Sequence, residues 1–188
     1  MEKINNYKFF LIIFVIFTFT YFLIGFYIDE NAAGAGTYGG DFDFIWANLQ
    51  IFKNHDLISA IQHPDYFTNR PPLLYILHSW FNPFLDNPLE FRRTVFVISL
   101  TGPVLFYFCL KQRFQKTDNV LLLLIASTIC LSPYYRTSAY WGLEENYAII
   151  ALFLSLLSLN SLLKNKNKYG YKIYSQLFFT TLFSSCCV

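Results

Sequence analysis

An uncharged run of about 20 residues, positions 9–28, constrains this chain more than any other feature, because a helix of that length crosses the hydrocarbon core of a bilayer. The rest of the chain is similarly apolar. Of its residues 55% are hydrophobic and only 14% are charged, whereas soluble domains average about 25% charged residues. The net charge of +2 gives no reason to expect a nucleic-acid partner. The sequence therefore predicts an all-α integral membrane protein.

Hydropathy divides the chain into about five membrane spans and one long polar loop. The segment before the second span starts with a Pro pair and is about 11 residues long, which is too short to cross a bilayer. We therefore predict that it lies at the membrane interface, as does a weakly amphipathic helix earlier in the loop. The predicted spans are 9–28, 89–110, 120–135, 142–163 and 173–188, and the loop 29–88 carries interfacial helices at 41–53 and 71–81.

The distribution of basic residues predicts the orientation of these spans, because Lys and Arg are retained on the cytoplasmic side. With the amino terminus inside, nine of the fourteen Lys and Arg residues fall on the cytoplasmic side. A span at 71–81 would place the later basic loops outside, which disfavours that topology. A cleaved signal peptide is the competing interpretation of the first run, but its apolar core would be only about 7–15 residues. The first run is therefore predicted to be an uncleaved anchor, and the loop 29–88 to be extracytoplasmic.

Four acidic residues stand at predicted helix starts on the outer side of the membrane. Two begin the first interfacial helix, and two begin the fourth span. Helix amino termini stabilise carboxylates through unpaired amides and the helix dipole, so capping is one explanation for them. The other explanation is chemical, because a carboxylate held just above the bilayer can take a proton from an acceptor hydroxyl. The candidate catalytic residues are therefore Asp41, Asp43, Glu144 and Glu145.

Four outer arginines are candidate ligands for a phosphate group, because a planar and permanently charged guanidinium matches phosphate geometry. Arg70 precedes a Pro pair that restricts its backbone to extended geometry and so would aim its side chain. Contact with lipid head groups is the alternative for Arg70, and pairing with the glutamates of the fourth span is the alternative for Arg136. The candidate phosphate-binding residues are Arg70, Arg92, Arg93 and Arg136.

Histidine and cysteine spacing gives no strong metal-ligand pattern. His55, His63 and His78 are expected to be ordinary surface residues of the outer loop. The cysteines lie inside apolar runs and are expected to be small buried hydrophobic residues. No resident cofactor is predicted, and a divalent cation is a further candidate for offsetting phosphate charge. The cysteines are Cys109, Cys130, Cys186 and Cys187.

The order of these features resembles the amino-terminal part of glycosyltransferases of the GT-C fold that use polyprenyl-phosphate sugars. The branch in question contains protein O-mannosyltransferases, the lipid A aminoarabinose transferase and bacterial galacturonosyltransferase-like membrane proteins. The resemblance covers roughly residues 9–163 and rests on the order and placement of short motifs, none of which is specific alone. The motifs are Gly40-Asp41-Phe42-Asp43, Asn69-Arg70-Pro71-Pro72-Leu73-Leu74-Tyr75, Arg92-Arg93 and Glu144-Glu145-Asn146.

The resemblance implies transfer of a sugar from a polyprenyl-phosphate donor to a hydroxyl of a lipid, glycan or protein acceptor, with inversion. In that family an acidic residue of the first outer loop is the proposed base, which corresponds to Asp41, with Asp43 as the alternative. The family commonly has an Asp-Glu pair where this chain has Asp41-Phe42-Asp43. Arg70 corresponds to a basic residue near the lipid phosphate, and Glu144 or Glu145 to a second acidic residue.

The expected location is a bacterial plasma or inner membrane, with the amino terminus cytoplasmic and membrane lipids as neighbours. Members of the family carry more spans than this chain, so the chain is expected to be a truncated GT-C-like bundle that can be inactive alone. Two alternatives stay open at this point. The first is a non-catalytic membrane subunit, and the second is a component of a flippase or transporter for lipid-linked sugars.

Overall fold

In the computed structural model, which describes residues 2–34, 36–68, 72–165, 174–175 and 177–181, the regular structure is helical throughout and includes no strand. This agrees with the predicted all-α class. In chain order the helices are α1 (Glu2–Tyr27), α2 (Asp41–Asn54), α3 (Leu57–Ile61), α4 (Leu73–Phe81), α5 (Pro88–Ser99), α6 (Thr101–Arg113), α7 (Asn119–Ser127), a 3-10 helix (Thr128–Leu131), α8 (Pro133–Trp141) and α9 (Glu145–Asn165).

Three helical segments of the described chain are long and apolar enough to cross a membrane: Tyr7–Tyr27, Pro88–Arg113 and Glu145–Leu163. They coincide closely with three of the predicted spans. A bent pair, Asn119–Leu131 with Pro133–Trp141, would bring the number to four if it forms one span. The predicted fifth span at 173–188 lies largely outside the described residues.

The structure differs from the predicted continuous span at 120–135, because the helix pair is bent by 66° between Leu131 and Pro133. Ser132 adopts an extended conformation, and its hydroxyl accepts a hydrogen bond from the Tyr135 amide at 3.4 Å. Pro133 then occupies the first helical turn, where its missing amide hydrogen costs nothing. A Ser-Pro step thus starts a new helix, α8, which ends at Gly142 in the left-handed region with φ of 69°.

A proline inside the second span creates the docking point for α8. Pro103 cannot donate to the carbonyl four residues earlier, that of Ser99. The Tyr135 hydroxyl donates to this carbonyl instead. The close approach needs the absence of a side chain at Gly102, because a Cβ there would collide with the Tyr135 ring and hydroxyl. The helix break at Leu100 therefore supplies both an acceptor and the space to reach it.

The described residues between 29 and 87, here called the loop layer, pack across the ends of α1, α5, α8 and α9. Its described helices are α2, α3 and α4, of which α2 and α4 lie within a residue or two of the predicted interfacial helices. An aromatic cluster forms the buried core below the layer, with Phe26 and Phe96 stacked at 4.5 Å between ring centroids. The Tyr140 hydroxyl donates to the Phe22 carbonyl at 2.8 Å and joins α8 to α1.

Candidate functional site

The two aspartates at the start of α2 have different environments. The Asp43 carboxylate accepts a hydrogen bond from the Gly39 amide at 2.6 Å, and so stabilises the turn that leads into the helix. Asp41 is exposed, and no described residue donates a hydrogen bond to its carboxylate. Capping therefore accounts for Asp43, whereas the Asp41 carboxylate is accessible and unengaged.

Aromatic packing fixes the start of α2 to the end of α8. The buried Phe42 ring contacts Trp141 at 6.2 Å and Tyr38 at 5.3 Å between centroids. Gly36 lies directly against the Trp141 side chain, where a Cβ would collide. Asp41 is therefore next to a residue, Phe42, that packs on Trp141. Since Trp141 precedes Glu144 by three residues, this packing connects the chain segments that carry the two candidate carboxylates.

Arg92 lies beneath this contact and is 2% exposed. Its Nε donates to the Tyr140 carbonyl at 2.7 Å, and its Nη2 donates to Asp29 Oδ1. Its guanidinium carbon also lies 4.1 Å from the centroid of the Trp141 ring, within the range of a cation–π interaction. These contacts engage the guanidinium group, and they hold Asp29, which has a φ of 52°, at the end of the first span.

Arg136 forms the second buried ion pair, with Glu30. Its Nη1 lies 2.8 Å and 3.0 Å from the two carboxylate oxygens, and its guanidinium carbon lies 4.6 Å from the centroid of the Tyr21 ring. Trp141 Nε1 donates to the Glu30 carbonyl at 3.0 Å. The partner of Arg136 is therefore Glu30 rather than either glutamate of the fourth span. As phosphate ligands, Arg92 and Arg136 would first have to leave these ion pairs.

Glu144 belongs to a polar cluster below α2. It accepts a hydrogen bond from the buried Tyr75 hydroxyl at 2.7 Å. Burial, reinforced by this carboxylate, raises the pKa of Tyr75 well above its ordinary value. The pKa of Tyr66 is raised by the same two causes. Both phenols therefore stay protonated, so Tyr75 acts as a donor to Glu144.

Buried Asn48 of α2 completes this cluster. Its amide donates to the Phe67 carbonyl at 3.3 Å and approaches the Tyr75 hydroxyl. The Tyr75 ring stacks on Phe52, also of α2, at 5.6 Å between centroids. The same helix that begins at Asp41 therefore also packs on the residue that holds Glu144.

The other predicted site residues lie nearer the surface. Arg93 is exposed and pairs with Glu90, three residues earlier on α5. Glu145 is exposed at the first residue of α9. Asn146, next to it, is fully buried, and its amide donates to the Ser99 hydroxyl at 2.9 Å and the Tyr135 carbonyl at 3.0 Å, so it joins α9 to α5 and α8. The prediction for Arg70 falls outside the described residues.

His78 corrects the expectation that all three histidines are surface residues. It is 4% exposed, and its Nε2 lies 2.6 Å from the Tyr147 hydroxyl. Burial lowers the pKa of His78 to about 4, so the ring is neutral near pH 7. His55 is exposed and His63 is half-buried, as expected for the loop surface. The sequence pattern does not predict the burial of His78, because its hydrogen-bond partner, Tyr147, is 69 residues away along the chain.

A divalent cation finds no ready ligand set in the described part of the chain. No three His, Cys, Asp or Glu side chains come together there as a metal ion would require. Cys109 and Cys130, the cysteines that the structure describes, are buried and free, as predicted.

The structure thus brings together two sets of residues, the cluster around Glu144 and the ion pairs of Arg92 and Arg136. The acidic partners in these ion pairs, Asp29 and Glu30, were not singled out by sequence reasoning, and the pairs attach the loop layer to α5 and α8. Their signal in the sequence was two adjacent acidic residues at the end of one predicted span, with arginines at the ends of other predicted spans.

Comparison of the chain with protein-family models, curated proteins and solved structures gave no match.

Proposed function

We propose that this chain carries the donor-side site of a membrane glycosyltransferase that uses a polyprenyl-phosphate sugar. The observation that supports the proposal most directly is Asp41, an exposed carboxylate without a described partner, at the start of a helix fixed by Phe42. The motif order of the sequence gives the reaction class. The candidate membrane spans beneath the loop layer support a donor that approaches this site from the bilayer.

In the proposed reaction, Asp41 takes the proton of the acceptor hydroxyl. The hydroxyl oxygen attacks the anomeric carbon, and the bond from that carbon to the phosphate oxygen breaks with its electrons on the lipid phosphate. Direct displacement inverts the anomeric centre. Asp41 suits the role of base better than Glu144, because the Glu144 carboxylate already accepts a hydrogen bond from the Tyr75 hydroxyl. Glu144 is then a candidate for orienting substrate hydroxyls.

Charge on the leaving phosphate needs a cationic partner. Arg93 is the accessible arginine among the described candidates, since Arg92 and Arg136 are held in buried ion pairs. Its exposed pair with Glu90 is weak and can be exchanged for a phosphate contact at little cost. Arg70, on the motif order alone, is the second proposed phosphate ligand.

The test is sugar transfer by membranes that contain the chain expressed from its gene with its natural flanking sequence. Radiolabelled polyprenyl-phosphate sugars serve as donors, and Asp41→Asn is compared with Asp43→Asn as the matched control. Loss of general-base catalysis predicts a decrease of about 10²–10⁴-fold for Asp41→Asn. Asp43→Asn should keep most of the activity, because it keeps an oxygen acceptor for the Gly39 amide.

Retained transfer in Asp41→Asn would remove this residue from the role of base. Absence of transfer by the wild type, with Asp41, Arg93 and Glu144 all replaceable without a cellular effect, would instead support a non-catalytic membrane subunit. Membrane incorporation and thermal stability of each variant serve as controls for folding.

One observation favours a second candidate, a transporter of lipid-linked sugars. The pair Asn119–Leu131 and Pro133–Trp141 is bent by 66°, and interrupted helices are typical of transporter sites. The test is movement of a fluorescent polyprenyl-phosphate sugar between leaflets of proteoliposomes. Movement without sugar transfer would favour this candidate over the enzyme.

A further inference from the structure

The hydroxyl of Tyr147 has a hydrogen-bond donor that no described residue accepts. The Phe84 amide donates to Asn82 Oδ1 at 3.0 Å, so the Asn82 amino group faces His78 Nδ1, also at 3.0 Å. His78 Nδ1 must then accept, and in the neutral ring Nε2 carries the proton. Nε2 therefore donates to the Tyr147 oxygen at 2.6 Å. The hydroxyl proton of Tyr147 is directed elsewhere.

A groove of about 240 Å³ lies beside this hydroxyl. Among the described residues its lining contains no Lys, Arg, Asp or Glu, so these residues offer nothing to balance a phosphate or any other charged group. Thr94 already donates its hydroxyl proton to the Glu90 carbonyl at 3.0 Å. The groove is therefore apolar apart from two neutral donors that no described residue accepts, the Tyr147 proton and the second amide hydrogen of Asn82. The residues that line it are Leu77, His78, Phe81, Asn82, Pro83, Phe84, Thr94, Ile98 and Tyr147.

The groove lies between a candidate membrane span and a helix that is too short to cross a bilayer, which favours a position near the lipid ester groups. One wall belongs to α5, in the candidate span Pro88–Arg113, and the other belongs to α4, which at nine residues is too short to cross a bilayer. Phe81 and Phe84, at the rim, are 74% and 54% exposed. Short helices with exposed aromatic side chains lie at the boundary between head groups and acyl chains.

We propose that this groove binds one acyl chain of a bilayer glycerolipid, with Tyr147 donating a hydrogen bond to the ester carbonyl of that chain. The ester carbonyl is an uncharged acceptor joined directly to an apolar chain, which matches neutral donors in an otherwise apolar groove. A polyprenyl chain lacks the carbonyl, and its phosphate would find no cation here. The bound lipid holds α4 against α5 and keeps the loop layer seated on the membrane.

The test uses the full chain in nanodiscs of diacyl phosphatidylcholine, doped with a phosphatidylcholine whose acyl chain carries a diazirine next to its ester. After illumination, mass spectrometry locates the labelled residues. Labelling of the α4 and α5 segments around Leu77 and Ile98 is expected. Tyr147→Phe should reduce it about fivefold, the effect of one hydrogen bond, and a dialkyl ether probe should label the wild type to the same reduced extent.

Ile98→Trp provides a variant that fills the groove but keeps the bond between Tyr147 and His78. Val97→Trp is its matched control, because Val97 is 61% exposed on the same helix and does not line the groove. Loss of labelling in Ile98→Trp alone is expected. Equal labelling of the wild type, Tyr147→Phe and Ile98→Trp would overturn the proposal, as would displacement of the probe by a polyprenyl phosphate but not by a diacyl lipid. The assay contains no sugar donor, so its outcome is independent of glycosyl transfer.

Discussion

Two kinds of ion pair meet at the loop layer, and they differ in the burial of the basic partner. The inner pairs, Arg92–Asp29 and Arg136–Glu30, have arginines that are 2% and 7% exposed and that lie over aromatic rings. The rim pairs, Arg93–Glu90 and Lys53–Asp86, have partners at least 28% exposed. The inner pairs join α5 and α8 to the end of α1, whereas the rim pairs join neighbouring surface residues. We therefore expect burial of the arginine to decide which pairs stabilise the fold.

The largest expected effect is that of Arg136→Ala on the inner pairs. It leaves Glu30, 18% exposed, as an uncompensated carboxylate, and removal of one partner from a buried pair costs about 3–5 kcal/mol of unfolding free energy. The measurement is unfolding by SDS in mixed micelles. The double variant Arg136→Ala, Glu30→Gln should recover much of this loss. Equal losses in the single and double variants would show that the pair is not the source of stability.

An intermediate effect is expected from acid, through a buried group that lacks a counter-charge. Because the pKa of His78 falls from 6.5 to about 4 on folding, the unfolded chain binds more protons between these pH values. Stability contributed by neutral His78 is therefore present above pH 6.5 and is lost as the pH falls toward 4, by up to about 3 kcal/mol. His78→Gln should flatten this dependence, and His55→Gln, at an exposed position, should leave it unchanged. An equally steep pH dependence in His78→Gln would assign it to another group.

The smallest expected effect is that of Arg93→Ala on the rim pairs. Exposed pairs contribute about 0–1 kcal/mol because water screens them. Arg93→Ala should therefore change unfolding in SDS by less than about 1 kcal/mol, whereas Arg92→Ala, at the adjacent position, should cost several times more. Equal losses for the two variants would erase the distinction between inner and rim pairs.

Local patterns predicted the elements of the fold better than the pairs that hold them. Apolar run length predicted three of the candidate spans, since each run is a continuous property of the sequence. The Ser132-Pro133 step that starts α8 was readable as a cap followed by proline, but the predicted span was extended to 135 on hydropathy alone. The aspartates at 41 and 43 were placed at a helix start, and only the structure shows that Asp43 binds the Gly39 amide.

Contacts between residues distant in the sequence could not be predicted, because they depend on how the helices rotate and pack against one another. Arg92 and Arg93 are equivalent beside an apolar run, and helix rotation of about 100° per residue separates a buried side chain from an exposed one. Which of the two faces Asp29 depends on how α5 packs against α1 and α8. The same is true of His78, whose burial depends on Tyr147 of α9.

The pair between Glu30 and Arg136 also has a consequence for the synthesis of the chain. Its partners are 106 residues apart, so at about 5–20 residues per second the ribosome needs about 5–20 s to make Arg136 after Glu30. During that interval Glu30 stays hydrated at the end of the first inserted helix. Synthesis of α8 then supplies Arg136 and completes the pair, so this attachment of the loop layer forms only after α1 to α7 have been made.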